Sequence, residues 1–199
     1  LWTIITNSEV NEIQMFNWGL VPSWTENIQK AKEISKLTYN AKIETIFEKK
    51  SFKDSIINKR CLVPSTGFFE WQHIGKLKIP WFIKIKEQEI FSMAGIWSVW
   101  FDKENDTLYN SFSILTTQAN NKIAEIHNTK KRMPIILSKD IEQEWLSVEI
   151  DDYSTFSKPF SDELIEAHTV GTLISKIGED KNKIEVQNKH DYFVNGSLF

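Results

Sequence analysis

Four short segments of this chain hold residue types that can do chemistry. In Pro64-Ser65-Thr66-Gly67-Phe68-Phe69-Glu70-Trp71 one carboxylate stands among three aromatics. Sheltered from water, Glu70 would have its pKa raised by desolvation and could work as a general acid or base. Facing water at a sheet edge it would be an ordinary surface glutamate, which is the commoner case. In Glu125-Ile126-His127-Asn128-Thr129-Lys130-Lys131-Arg132-Met133-Pro134 an imidazole is followed closely by three cations. That order suits proton transfer beside a phosphate, although a lone histidine at a helix end is more often structural. Tyr39-Asn40-Ala41-Lys42-Ile43-Glu44-Thr45 sets an amide two residues from a cation, able to grip a sugar and a phosphate, or simply a solvated turn. Trp18-Gly19-Leu20-Val21-Pro22-Ser23-Trp24 brackets a glycine and a proline with indoles, which either stack on bases or fill a core.

Other chemistries lack their residues. The chain has no glycine-rich phosphate loop, no G-x-S-x-G elbow and no H-E-x-x-H. His73, His127, His168 and His190 show no ligand spacing, so no metal and no nucleotide cofactor is expected. The single cysteine, Cys61, excludes an intramolecular disulfide framework and a multi-cysteine zinc site. No stretch approaches the roughly 20 apolar residues of a membrane-spanning helix. Net charge is −3 over 199 residues, but residues 1–137 carry 18 basic against 14 acidic residues, whereas 138–199 carry 6 against 13. The front part can therefore present a basic surface to a polyanion more easily than the acidic remainder. Eight tryptophans are present, five of them within the first 81 residues, and there are only two arginines, Arg60 and Arg132.

The elements that must position these residues read mostly as strands. Expected strands are Trp2–Thr6, 15–21, 61–63, 67–73, 81–86, 90–100 and 108–116, with turn signals about every ten residues. Helices are expected over 26–36, over 51–58 capped by Ser51, over 119–126 leading into His127, and over 138–146 capped by Ser138. Met133–Leu137 returns to strand, 149–160 reads as a connector, 161–167 as a helical turn, 169–174 as a strand and 178–189 as a charged segment. The expectation is an α+β fold with a β-rich core of antiparallel strands forming a curved or barrel-like sheet with peripheral helices. Residues 1–147 would be the main domain and 148–199 its C-terminal part and tail. Period-two alternation in the Glu70 strand puts Phe68 with Glu70 on one face and Phe69 with Trp71 on the other.

Taken in order, the motifs form a set. Trp18-Gly19-Leu20-Val21-Pro22-Ser23-Trp24, Asn40-Ala41-Lys42-Ile43-Glu44-Thr45, Arg60-Cys61-Leu62-Val63-Pro64 with Gly67-Phe68-Phe69-Glu70-Trp71, Met93-Ala94-Gly95-Ile96-Trp97, Ile114–Asn120 and Ile126-His127…Arg132-Met133-Pro134 follow one another. This series resembles the SOS-response-associated peptidase (SRAP) family from about residue 15 to 147. The resemblance implies a sensor of abasic sites in single-stranded DNA. An N-terminal cysteine, exposed by autocatalytic removal of methionine, would condense with the ring-opened sugar aldehyde to a thiazolidine crosslink. It implies Asn40, Glu70 and His127 as catalytic residues, and Trp18, Lys42, Trp71 and Arg132 as DNA-binding residues. Lys42 stands where the family usually has arginine, which keeps the charge but loses bidentate phosphate geometry. It further implies peptidase and lyase-like crosslinking activity, no cofactor or metal, single-stranded and abasic-site DNA as partner, no membrane, a monomer, and a cytoplasmic location, nucleoid-associated when on DNA.

Two departures stand out. The spacing from His127 to Arg132 is longer than the compact His-x-Arg-Met-Pro form, which enlarges the loop and makes it more basic. The chain starts Leu1-Trp2-Thr3 where the family starts Met-Cys-Gly-Arg, so it is expected to begin inside a longer protein and, as given, not to crosslink DNA. Cys61 is expected to be a buried, inert thiol. Two other readings remain open at this point. One is a non-covalent nucleic-acid-binding module using tryptophan stacking with Lys42, Lys130, Lys131 and Arg132; the other is a peptidase acting in trans through Glu70 and His127.

Overall fold

Apolar runs and alternating segments make strands the commonest regular element, and short helices lie between them. The computed structural model describes residues 2–9, 12–147, 153–194 and 197–198. The strands are β1 (Trp2–Thr6), β2 (Gln14–Trp18), β3 (Asn40–Lys42), β4 (Arg60–Ser65), β5 (Phe68–Ile74), β6 (Leu77–Ile85), β7 (Phe91–Asp102), β8 (Thr107–Gln118), β9 (Arg132–Pro134), β10 (Ile136–Leu137), β11 (Ile165–Thr169), β12 (Phe193–Val194) and β13 (Ser197–Leu198). The helices are α1 (Ile28–Ser35), α2 (Lys53–Asn58), α3 (Asn121–Ile126) and α4 (Lys139–Leu146). Two compact units share the chain in interleaved segments. The first comprises Leu1–Ser65, Phe91–Gln118 and Pro134–Pro159, the second Thr66–Ile90, Ala119–Met133 and Phe160–Phe199.

In the first unit β1, β2, β8, β7 and β4 pair in a closed ring, and β3 and β10 extend it. The α+β fold with a barrel-like sheet is as the sequence suggests, but the sheet is mixed. β2 and β3 both run parallel to β8, through Asn17↔Ser111 and Asn40↔Ile114. Parallel partners need long connections, which the many residues between β2 or β3 and β8 supply, and alternation within a strand carries no sign of its partner's direction. The core is built from Leu20, Ile46, Ile56, Ile96, Leu115 and Trp145, all fully enclosed.

Local chemistry sets the element ends. Gly19 at φ +106° stops β2 before the expected end at Val21, and a Cβ there would stand 2.5 Å from the Ser35 carbonyl oxygen. Asn27 caps α1, its Oδ1 accepting from the Lys30 N–H at 2.9 Å. Ser51 does not cap α2: Phe52 holds that position, with no side-chain cap bond. Ser138 does stand at the N-cap of α4, but its hydroxyl pairs with the Asp140 carboxylate instead of the backbone.

The second unit is built on the antiparallel sheet β11–β6–β5. Its third strand corrects the sequence reading. A 3-10 turn at Asp162–Leu164 leads directly into β11, while Thr172–Ser175, expected as strand, is another 3-10 turn. Ile165 and Thr169 are buried by pairing with Ile85 and Trp81, a tertiary effect that the weakly apolar Ile-Glu-Ala-His-Thr does not advertise. Gly67 lets β5 start tight against β6, since a Cβ there would lie 2.3 Å from the Phe82 ring. The expected connector 149–160 lies partly outside the described residues; within it Tyr153–Ser157 forms a 3-10 turn with Phe156 buried.

Candidate active site

Glu70 lies mid-way along β5, at the edge of the three-stranded sheet, opposite Trp81 of β6. The edge position would favour water, yet the Glu70 side chain is only 21% exposed. His127, 17% exposed, lies at the C-cap of α3 and holds Nδ1 3.4 Å from Glu70 Oε1. The same Nδ1 is 2.9 Å from the Arg132 carbonyl oxygen. A carbonyl only accepts, so Nδ1 must carry a proton, leaving Nε2 as the nitrogen that gains and loses one. Asn120 starts α3, accepting from the Ile123 N–H at 2.9 Å and donating to the Phe160 carbonyl at 2.7 Å. That cap fixes where the helix begins, and the His127 N–H closes its last turn on the Ile123 carbonyl at 2.7 Å.

Burial pushes the Glu70 carboxyl above the usual carboxylate range, while His127, the Trp71 N–H and the Lys130 ammonium each pull it partly back down. A carboxyl so placed holds and releases a proton nearer neutrality than a surface glutamate does. A cleft of about 460 Å³ in the same unit is lined by residues that include Trp81, Lys86, Lys122, Glu125 and Ile126, but neither Glu70 nor His127 is part of its lining. Trp71 is half-buried on the opposite face of β5, its indole N–H donating to Ser175 Oγ at 3.0 Å.

The remaining sequence-predicted residues, Trp18, Asn40 and Lys42, belong to the first unit. Asn40 and Lys42 are exposed on β3, and Trp18 ends β2. The Trp18 indole N–H donates to the Tyr39 carbonyl at 2.7 Å, and its ring meets Tyr39 edge-on at 5.4 Å and Trp2 at 5.5 Å. Trp18 is thus one of three contiguous aromatics beside Asn40. Arg132 is half-buried, and its carbonyl oxygen meets His127 Nδ1.

Cys61 is fully buried in β4, its Sγ packed close against Gly95, and burial alone raises its thiol pKa steeply. A thiol held protonated is a poor nucleophile. Among the described residues no group of three His, Cys, Asp or Glu converges as metal ligands, and no helix is long and apolar enough to cross a membrane.

The family's sequence model, described as SOS response associated peptidase (SRAP), matches residues 1–177. The chain belongs to the SRAP family. A Bacillus subtilis member named abasic site processing protein YoqW is 34% identical over 177 residues, covering 87% of this chain and 75% of the relative. A Gallus gallus member named abasic site processing protein HMCES is 30% identical, covering 82% of this chain and 54% of the relative. A protein of Bacteroides thetaiotaomicron with a solved crystal structure is 42% identical with a TM-score of 0.88, covering 94% of this chain and 80% of that one. A Bordetella bronchiseptica structure, 23% identical over 85% of this chain and 83% of that one, shares the fold with a TM-score of 0.76.

Two residues beyond the sequence-predicted ones touch the pair's surroundings. Asn128 bonds the backbone of His73, and Gln72 bonds that of Glu125. The available signal was an asparagine directly after the histidine at a helix end, a residue type that imitates backbone groups.

Proposed function

We propose that this protein processes abasic sites in single-stranded DNA, with Glu70 and His127 as its acid–base pair. The observation that carries this reading is the pair itself: a sheltered carboxylate 3.4 Å from an imidazole whose Nδ1 is fixed by a carbonyl. The names of the relatives point the same way. An abasic deoxyribose is in equilibrium with an open-chain aldehyde. His127, through Nε2, would protonate the ring oxygen as the C1–O bond breaks and the C1 hydroxyl gives its proton to water to form the aldehyde, and would take a proton back from that oxygen when the ring recloses on release of the adduct. As the amine nitrogen bonds to C1 and the carbonyl π bond breaks, one N–H proton would pass through Glu70 to the carbonyl oxygen to give the carbinolamine; the C–OH bond would then break with the second N–H proton, relayed by Glu70, leaving on the hydroxyl as water to give the imine. A neighbouring thiolate adding to the imine carbon, with the nitrogen taking up a proton, closes a thiazolidine. Glu70 would serve removal of a leading methionine by the same proton transfers.

Asn40 would supply amide hydrogen bonds to the sugar or the nucleophile, and Lys42 and Arg132 would meet phosphates. Trp18 and Trp71 would stack on bases. In this reading the partner is one unpaired DNA strand and the protein acts as a monomer.

The test is a denaturing gel of the natural full-length protein incubated with a single-stranded oligonucleotide carrying one abasic site. A heat-stable shifted band is expected, absent with intact oligonucleotide and abolished by blocking the aldehyde with methoxyamine. No such band under conditions where the protein binds the oligonucleotide would overturn the reading.

A further inference from the structure

The Glu70–His127 pair is not held by its own contact, which at 3.4 Å is longer than a good hydrogen bond. Its spacing comes from bonds that tie both flanks of His127 to the strand bearing Glu70. On the C-terminal flank, the Asn128 carboxamide makes a two-point clamp on His73: Oδ1 accepts the His73 N–H at 3.0 Å and Nδ2 donates to the His73 carbonyl at 2.8 Å. An edge strand has unpaired N–H and C=O groups, and Asn128 satisfies a donor and an acceptor together as a neighbouring strand would. On the N-terminal flank, Gln72 Nε2 donates to the Glu125 carbonyl at 3.3 Å, and Gln72 Oε1 accepts from the Trp81 indole at 3.2 Å. The loop between is closed by the Lys131 N–H on the His127 carbonyl at 2.9 Å, with Lys131 at φ +51°. His127 therefore sits between two side-chain–backbone ties to β5, at positions two and three residues beyond Glu70.

We propose that Asn128 is a positioning residue, its carboxamide clamp on the His73 backbone setting the distance and direction between Glu70 and His127. This rests on the acid–base reading of that pair. Gln72 supports the same placement from the other side, with the single weaker tie. Proton transfer is steep in geometry, and a displacement of about 1 Å can cost on the order of a hundredfold in rate. Asn128 itself touches neither reacting group, so its loss acts through His127.

The experiment compares Asn128→Ala, Asn128→Asp, Glu70→Gln and His127→Ala in the natural full-length protein, with three measurements on each. These are single-turnover crosslinking to abasic single-stranded DNA, affinity for intact single-stranded DNA, and titration of the Glu70 carboxyl by 13C NMR, assigned by its disappearance in Glu70→Gln. Asn128→Ala is expected to slow crosslinking about ten- to a hundredfold with affinity for DNA unchanged. Its Glu70 titration should shift upward in pH, because the neighbouring His127 no longer lowers it as strongly. Lys130 and the Trp71 N–H, which also face Glu70, should still be in place. Asn128→Asp keeps the acceptor and loses the donor, so it should fall between.

A Glu70 titration in Asn128→Ala that coincides with the wild type would overturn the clamp, whatever happens to thermal stability. Wild-type crosslinking by Glu70→Gln and His127→Ala would instead overturn the underlying reading of the pair, and the catalytic part of the proposal with it.

Discussion

Replacing Arg60 tests how a residue in the ordered motif set serves the fold instead of the DNA. Arg60 is fully buried in β4. Its Nε donates to the Trp145 carbonyl at 2.9 Å, Nη1 to Ile56 at 2.8 Å and also to Ile57, and Nη2 to the Ser147 carbonyl. These carbonyls terminate α2 and α4, where the helix dipole favours a cation. Arg60→Met would leave the enclosed Trp145 carbonyl without its donor; Ile57 and Ser147 reach water, and Ile56 keeps the Tyr153 hydroxyl at 3.1 Å. One stranded buried acceptor costs about 1–3 kcal/mol, and lost charge-assisted hydrogen bonds about 1.5–3 kcal/mol each. Relief of the buried cation's desolvation offsets part of this. The net expectation is about 3 kcal/mol of destabilisation, or roughly 6–12 °C in Tm for a chain of this size. Urea titration and a thermal scan measure it. Arg60→Lys should lose less, because an ammonium satisfies fewer carbonyls than the guanidinium fork. A stability change under about 1 kcal/mol with weakened DNA binding would instead place Arg60 at the DNA surface.

Three further outcomes follow. Glu70 is raised by burial, so its contribution to stability is full below the ordinary carboxylate pKa and is lost as pH rises through the elevated one. Glu70→Gln should therefore gain in urea midpoint over the wild type as pH goes from 4 to 8, and a constant difference would contradict the burial. Cys61 should resist alkylation in the native protein and react only on unfolding, and Cys61→Ala should crosslink abasic DNA at the wild-type rate; rapid native labelling would be the contrary result. Trp71→Ala should weaken single-stranded DNA binding by about 1–3 kcal/mol if a base stacks there, read by fluorescence titration, whereas an unchanged affinity would leave Trp71 a structural residue.

The barrel's strands were largely legible because alternation and turn residues act locally. β7 and β8 show strong apolar runs, and Asn27 and Asn120 cap helices where a polar side chain precedes an apolar stripe. What escaped depends on partners distant in sequence. β11 is a strand because β6 offers it an edge, and β2 and β3 are parallel to β8 because of how the ring closes. The site divides in the same way. Glu70 among aromatics and His127 at a helix end are readable as candidates, and the ordered motifs join them. Their 3.4 Å approach, and the Asn128 and Gln72 ties that set it, come from β5 and α3 meeting across more than 50 residues. Arg60 was visible as one of only two arginines, yet sequence could not tell a buried guanidinium from a phosphate contact.

The role proposed for Glu70 and His127 is to transfer the protons of abasic-site chemistry. Single-turnover crosslinking of abasic single-stranded DNA by Glu70→Gln and His127→Ala full-length protein tests it most directly, with affinity for the same oligonucleotide measured in parallel. Each substitution should lower the rate constant by about 10²-fold or more while leaving the affinity nearly unchanged. Crosslinking at the wild-type rate by either variant would exclude that residue from the proton transfers.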